Sequence, residues 1–466
     1  MATTPLHYLT IAEASRLIQG KKLSPVELTQ AFLDRIDKLD GKLATYITLT
    51  ADIALAEAKK AEADIARGTY KGSLHGIPIA LKDNYGTKGI RTTAASRVLA
   101  DNVPAADSTA WARLKAAGAV LLGKLTLSEF ACGGPDPETG FPMPRNPWDL
   151  TRNAGGSSNG SAIAISAGLC MASMGTCTRG SIRAPASFCN VVGLKPTYGR
   201  ISRNGVIPLS WTLDHCGPMT ATVEDAAIML GATAGHDPAD PTSSAAPVPD
   251  YRAALKPDVR GLRIGVPRHF YFPDRPDVQR EPLRIADAAL RKLEQMGARV
   301  EEIEIPSLKY SDPAALVLLL GEGFAYHQRK LLATPELYGP IDRTEFRVAS
   351  LFTLGDYVQA QRARSLLQKE YLEALKTYDL IAGPSFAIVA PAWDGPPGMA
   401  VSTAPSFTGM YNLTGLPAIS VPAGFTPGGL PSGLQLAGKP FDEATVLRAA
   451  YAYEQATDWH KKRPPL

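Results

Sequence analysis

The 466 residues carry 49 Lys and Arg against 45 Asp and Glu, with 45% hydrophobic and 20% charged residues. That composition excludes a disordered chain, and a net charge of +4 on this length leaves no footprint for a polyanion. At roughly 150 residues per domain the length allows about three units, although large α/β enzymes run as one.

In chain order, the first five residues, Met1 to Pro5, lack the basic and apolar stretches of a secretory signal. Thr10-Ile11-Ala12-Glu13 and Ser24-Pro25-Val26-Glu27 have the capping-box pattern, so helices are expected to begin at both. Asp52 to Arg67, rich in Ala, Glu and Lys and stopped by Gly68, predicts a further, exposed helix. Gly76 to Asp83 reads as a short strand with Lys82 at its end. Thr109 to Gly118 followed by Ala119 to Gly123 is a helix–strand step of the kind that builds parallel sheets. A Gly/Ser loop, Gly155 to Ser161, feeds a small-residue helix from Ala162 to Leu169, and a second short loop runs from Gly175 to Ser181.

Gly235 to Gly261 is proline-rich and predicts a surface connector that divides two halves. Beyond it, Leu262 to Val266 predicts a strand, Arg280 to Met296 a helix, and Val300 to Ile305 a strand wetted on one face. The longest aliphatic run, Ala314 to Leu320, is far below the ~20 residues that span a bilayer and reads as core or pocket lining. Five cysteines, Cys132, Cys170, Cys177, Cys189 and Cys216, form no C-x-x-C pair and no zinc pattern, which points to a reducing compartment. The expectation is a cytoplasmic protein with no membrane or nucleic-acid partner.

The loop Gly155 to Ser161 has neither the lysine of a Walker phosphate loop nor the dinucleotide G-x-G-x-x-G. Alone it is only a turn. With Lys82 and with Thr178-Arg179-Gly180-Ser181 it forms a set, and here the chain resembles the amidase signature family. The family stretch looks like Gly-Gly-Ser-Ser-Gly-Gly-Ser, then Gly-Thr-Asp-Thr-Gly-Gly-Ser-Ile-Arg, then Gly-Leu-Lys-Pro-Thr. This chain has Gly155 to Ser161, Gly175-Thr176-Cys177-Thr178-Arg179-Gly180-Ser181-Ile182-Arg183, and Gly193-Leu194-Lys195-Pro196-Thr197. The likeness continues at Gly76 to Asn84, Leu114 to Phe130, Asn146-Pro147-Trp148, Leu213 to Pro218 and Gly433 to Leu436.

The resemblance implies one α/β/α domain over residues 1–466, with a signature core at about 75–220 and a large twisted mixed sheet covered by helices on both faces. It implies Lys82 as base, Ser157 as a bridging serine in a cis peptide, Ser181 as nucleophile, and neither metal nor organic cofactor. Such a lysine must be neutral to accept a proton, which burial favours. The backbone N–H groups of Thr178, Arg179, Gly180 and Ser181 are expected to form the oxyanion hole. The loop Cys132 to Arg145 is the expected pocket rim, with Cys132, Gly133, Gly134 and Arg179 as substrate contacts. Ser158 is read as a loop hydrogen-bonder, Cys170 and Cys189 as buried small hydrophobes, and His215 as structural.

The chain departs from the family at Asn159 for glycine, Cys177 for aspartate and Arg179 for glycine. Cys177 is expected to leave Arg183 without its carboxylate partner, and Arg179 to push Lys82 toward neutrality. The preferred function is a stand-alone serine hydrolase of small amides, taking aryl amides (anilides), carbamates (urethanes) or esters, with homo-oligomers allowed. The alternative is the glutaminase-like component of a tRNA-dependent amidotransferase, which needs partner subunits, and an inactive scaffold is the third.

Overall fold

The structure is a computed structural model describing residues 4–393 and 404–466. Thr10 closes a full capping box with Glu13 over α1 (Ile11–Gln19). Ser24 caps α2 (Pro25–Leu43) by accepting from the N–H groups of Val26 and Glu27 and donates its hydroxyl to Glu62, while the Glu27 half of the box is absent. Helix α3 (Ala51–Ala66) lies on the surface by one face only, since Ala54, Ala58 and Ala61 are buried.

Eleven strands form one sheet: β1 (Tyr46–Leu49), β2 (Pro78–Lys82), β3 (Val120–Leu125), β4 (Ala172–Cys177), β5 (Val192–Lys195), β6 (His215–Thr220), β7 (Arg263–Val266), β8 (Arg299–Glu302), β9 (Leu380–Pro384), β10 (Ala418–Phe425) and β11 (Pro431–Gly438). Their order is β1-β3-β2-β4-β6-β5-β10-β11-β9-β7-β8. Pairs β2/β3, β2/β4, β7/β8 and β7/β9 are parallel and the others antiparallel, so the sheet is mixed. The architecture is α/β, as the helix–strand alternation implies.

Strands on both sides of the proline-rich connector share this sheet, and residues 235–261 hold no helix or strand. The expected half-wetted strand at 300–305 is β8, at the sheet edge and shorter than read. Helices α4 (Thr109–Ala116) and α5 (Asn159–Ser166) follow, the latter starting three residues earlier than its hydrophobic run suggests. All eight residues of α5 are buried, which small side chains permit. A Cβ on Gly160 would stand 2.7 Å from the Thr126 backbone at the end of β3, so only glycine allows that approach. Next come α6 (Arg183–Cys189), α7 (Val223–Thr233), α8 (Arg268–Tyr271) and α9 (Arg280–Gln295).

A helical layer then follows: α10 (Ser311–Ala333), α11 (Pro340–Ala349) and α12 (Leu354–Thr377). Its apolar side packs as a second core around Leu318, Phe346, Leu367 and Tyr371, beside the main core on the sheet. The aliphatic run 314–320 sits within α10, where Ala315 and Leu318 are core and Leu316, Leu319 and Leu320 line a cavity. Helices α13 (Met410–Leu413) and α14 (Glu443–Gln455) complete the chain. Among the described residues no helix is long and apolar enough to cross a membrane.

Candidate functional site

Every residue of β2 is buried, and the strand, flanked by β3 and β4, carries Lys82 at its end with a side chain fully removed from solvent. Its Nζ stands 2.7 Å from Ser157 Oγ and 2.7 Å from Thr176 Oγ1. Thr176, near the end of β4, also accepts from Asn84 Nδ2 at 3.1 Å. Burial pushes the Lys82 amine from 10.5 to about 7, only partly opposed by Cys177, Asp214 and Cys216. Arg179 is not among the causes, which corrects the expectation that it neutralises Lys82: its guanidinium turns away to Asp312. A neutral amine this close to a hydroxyl can take its proton.

The two Gly/Ser loops meet here. The Gly156–Ser157 peptide is cis. Ser128 N–H donates to the Ser157 carbonyl at 3.2 Å, and Ser158 N–H donates to the Ser181 carbonyl at 3.2 Å. Ser158 Oγ donates to the Thr176 carbonyl at 3.1 Å, so this serine holds loop to strand. Ser181 itself is partly exposed and lines a cavity of about 900 Å³ together with Gly156, Arg179 and Gly180. The N–H groups of Arg179, Gly180 and Ser181 donate to no described residue, so they are free to meet a developing oxyanion. Thr178 anchors the other side of the turn through its hydroxyl on Asp214 at 2.6 Å.

The turn is held from outside the signature. The Arg179 carbonyl accepts from Thr408 Oγ1 at 2.7 Å and Ser406 Oγ at 3.3 Å. Arg179 Nη2 lies 3.2 Å from Asp312 Oδ1, whose other oxygen accepts from Ser406 N–H. Gly180 takes φ +141°, and a Cβ there would collide with Thr408 Oγ1. Thr176, Thr408, Ser406 and Asp312 are the members that sequence reasoning missed. Only Thr176 lies inside a motif, where its alternation with Gly175 and Cys177 on β4 signals a side chain facing Lys82.

Arg183 is fully buried and is not left bare by the loss of aspartate. Nη1 donates to Gln435 Oε1 at 2.6 Å, and Nη2 donates to Asn412 Oδ1 at 2.7 Å and the Thr408 carbonyl at 3.1 Å. Cys177 Sγ is a further partner at 3.6 Å. Burial, the largest single influence, would raise that thiol, but the Arg183 guanidinium together with Lys195 and the Ile182 N–H outweighs it and the Cys177 value falls. By contrast, burial pushes the Cys170 and Cys189 thiols up, as small interior hydrophobes. His215 is buried with Nδ1 2.6 Å from the Leu213 carbonyl, and faces a separate cavity of about 220 Å³ rather than the one at Ser181.

Of the expected rim, Cys132 and Gly133 line the large cavity, whereas Gly134 is buried behind them and does not. The rim is tied to α11, since Asp136 Oδ2 accepts from Ile341 N–H at 3.3 Å. Glu345 joins the lining from α11, and Cys132 Sγ donates to its Oε2 at 3.1 Å. Burial raises Asp342, Glu345 and the Cys132 thiol, with neighbouring carboxylates raising Asp342 and Cys132 further.

The chain matches known proteins over most of its length. The profile of the amidase family matches residues 27–447. The chain is 44% identical to the A subunit of glutamyl-tRNA(Gln) amidotransferase from Moorella thermoacetica, over 99% of both chains. Among solved structures, the A subunit of the Thermotoga maritima glutamyl-tRNA(Gln) amidotransferase superposes with a TM-score of 0.82 at 34% identity, covering 98% of this chain and 96% of that one. A bacterial aryl acylamidase of the amidase signature family superposes with a TM-score of 0.89 at 26% identity, covering 98% and 99%.

Proposed function

The chain belongs to the amidase family, enzymes that act on amide carbon–nitrogen bonds, and from that premise we propose that it hydrolyses a primary carboxamide through an acyl-enzyme on Ser181, as the amide-cleaving component of an amidotransferase. The observation that carries this reading is the 44% identity over 99% of both chains. It reverses the order that the sequence alone suggests, in which a stand-alone hydrolase of aryl amides or carbamates stands first. A glutamine-type amide is then the substrate, the released ammonia is the useful product, and partner subunits complete the assembly.

In this reading Ser181 Oγ attacks the amide carbon while its proton passes through Ser157 Oγ to the neutral Lys82 Nζ. The carbonyl oxygen takes up the negative charge and is met by the N–H groups of Thr178, Arg179, Gly180 and Ser181. Collapse expels ammonia, which receives its proton back from Lys82 through Ser157. Water then attacks the acyl-enzyme by the same relay and frees Ser181. What supports the relay is the 2.7 Å contact between Lys82 and Ser157, together with an amine lowered to about 7. The stand-alone reading keeps one supporting observation, a cavity of about 900 Å³, far larger than a glutamine side chain needs.

The test is ammonia release from glutamine against a panel of anilides and carbamates, on wild type and Ser181→Ala, with a fluorophosphonate adduct mapped by mass spectrometry. Glutamine turnover that needs Ser181 bears the proposal out. Ser181-dependent turnover of anilides alone restores the stand-alone hydrolase, and no adduct and no turnover refutes both.

A further inference from the structure

One cluster of reactive side chains is used by none of these steps. Cys132 ends a tight turn (Glu129–Ala131) whose Phe130 and Ala131 take φ of +44° and +64°. Asp342 and Glu345 stand three apart in the first turns of α11, a spacing that puts both on one helix face. The chain thus brings a thiol to two carboxylates up to 213 positions away, with one donor atom from each lying within 4.8 Å of the others.

Two further observations mark the cluster as built to receive something. Asp342 is only 2% exposed, yet its Oδ2 is buried with no hydrogen-bond partner among the described residues. Facing it is Gly133, where a Cβ would press on Ile341 Cγ2 at 2.6 Å and stand 3.1 Å from Asp342 Oδ1 and 3.8 Å from Glu345 Oε2, so the glycine keeps the space beside both carboxylates clear. The surrounding acids do not need the same partner. Glu129 accepts from Ser96 Oγ and Gly339 N–H, and Asp136 accepts from Glu138 and Ile341 N–H groups. Among the described residues, none of the four carboxylates forms a salt bridge, so no side-chain cation fills the space between the Asp342 and Glu345 carboxyls.

We propose that Cys132, Asp342 and Glu345 form a binding site for a divalent transition-metal ion of the zinc class. A thiolate with two carboxylates suits a borderline cation, and bonds of about 2.3 Å to sulfur and about 2.0–2.2 Å to oxygen set tetrahedral donors roughly 3.3–3.7 Å apart, the sulfur–oxygen edge roughly 3.5–3.7 Å. The Sγ to Oε2 separation of 3.1 Å needs to open by only about 0.5 Å to reach that edge. Three protein ligands leave a fourth position. Because Cys132 and Glu345 line the cavity that holds Ser181, that position opens toward the cavity. No local sequence pattern announces such a site, since its ligands come from the rim loop and from a distant helix. The metal site is independent of amide hydrolysis at Ser181 and stands or falls without it.

The probe is Co²⁺, titrated into the full chain after chelator treatment, with near-ultraviolet absorption reporting thiolate-to-cobalt charge transfer. We expect one ion per chain, displaced by Zn²⁺, a charge-transfer band that vanishes in Cys132→Ser and persists in Cys170→Ser, and at least about tenfold weaker binding in Asp342→Asn. Circular dichroism checks folding, and Glu345→Gln, at a partly exposed position, takes the place of Asp342→Asn if that variant does not fold. Absence of stoichiometric binding to wild type, or a band unchanged in Cys132→Ser, overturns the proposal.

Discussion

Lys82→Met isolates the physical property on which the relay depends. Wild-type Lys82 is fully buried, and its value drops from 10.5 to about 7 because burial penalises the ammonium. A depressed folded-state value means that the unfolded chain binds more protons between about pH 7 and 10.5, so this residue makes stability rise with pH across that window. At pH 6, where both states are protonated, the gap costs the fold about 5 kcal/mol. At pH 9 the folded amine is already neutral and about 2 kcal/mol of the cost is left. Methionine carries none of it. Urea denaturation of both proteins from pH 6 to pH 9 therefore shows wild type gaining about 3 kcal/mol on the variant. Loss of the contacts to Ser157 and Thr176 displaces the variant's whole curve without changing this slope. Curves that stay parallel from pH 6 to 9 refute the buried-amine reasoning. The same group sets activity: kcat/KM on any Ser181-dependent substrate falls tenfold per pH unit below about 7 and levels above it.

Three further outcomes follow from the turn around Ser181. Cys177→Asp gives the buried Arg183 a full carboxylate in place of a thiol at 3.6 Å, and stabilises the protein by about 1 kcal/mol, read as a higher urea midpoint; an unchanged midpoint shows the neutral acceptors already suffice. Gly180→Ala drives a methyl into Thr408 Oγ1 and displaces the turn, lowering kcat by at least about a hundredfold, with Thr408→Gly restoring part of the loss; a variant of near wild-type kcat removes the turn from the mechanism. Arg179→Gly frees Asp312 and takes a positive charge from the cavity wall, so KM for carboxylate-bearing amides rises while neutral amides are spared; equal losses on both mean that the side chain only supports the loop.

Local chemistry makes much of the frame legible. Capping residues place α1 and α2, and alternation places β2 with Lys82 at its end. Sequence and structure part where a distant partner decides the outcome. Ser24 finds in Glu62 of α3 a partner for its hydroxyl that no local pattern announces, and the Ala-rich α3 buries one face because alanine fits a close helix pair as readily as it tolerates solvent. The small residues of α5 carry little periodic signal, so its start is invisible to a hydrophobic pattern. What fixes that start is the approach of Gly160 to the Thr126 backbone, a tertiary contact.

At the site the same division holds, and it explains which expectations about charge fail. Lys82, Ser157 and Ser181 are legible because each lies within a short motif of its own, although Ser157 meets Lys82 from 75 positions away. The electrostatics do not follow from adjacency in sequence. Arg179 stands two residues from Ser181, yet Asp312 on α10 takes its guanidinium and the burial of β2 alone neutralises Lys82. Arg183 loses an aspartate six positions back and is met by Asn412, Gln435 and Thr408 from the far end of the chain. A substitution in a motif can thus be absorbed by residues outside it. The chemistry of this loop is set jointly by its own glycines and by the C-terminal segment that packs over them.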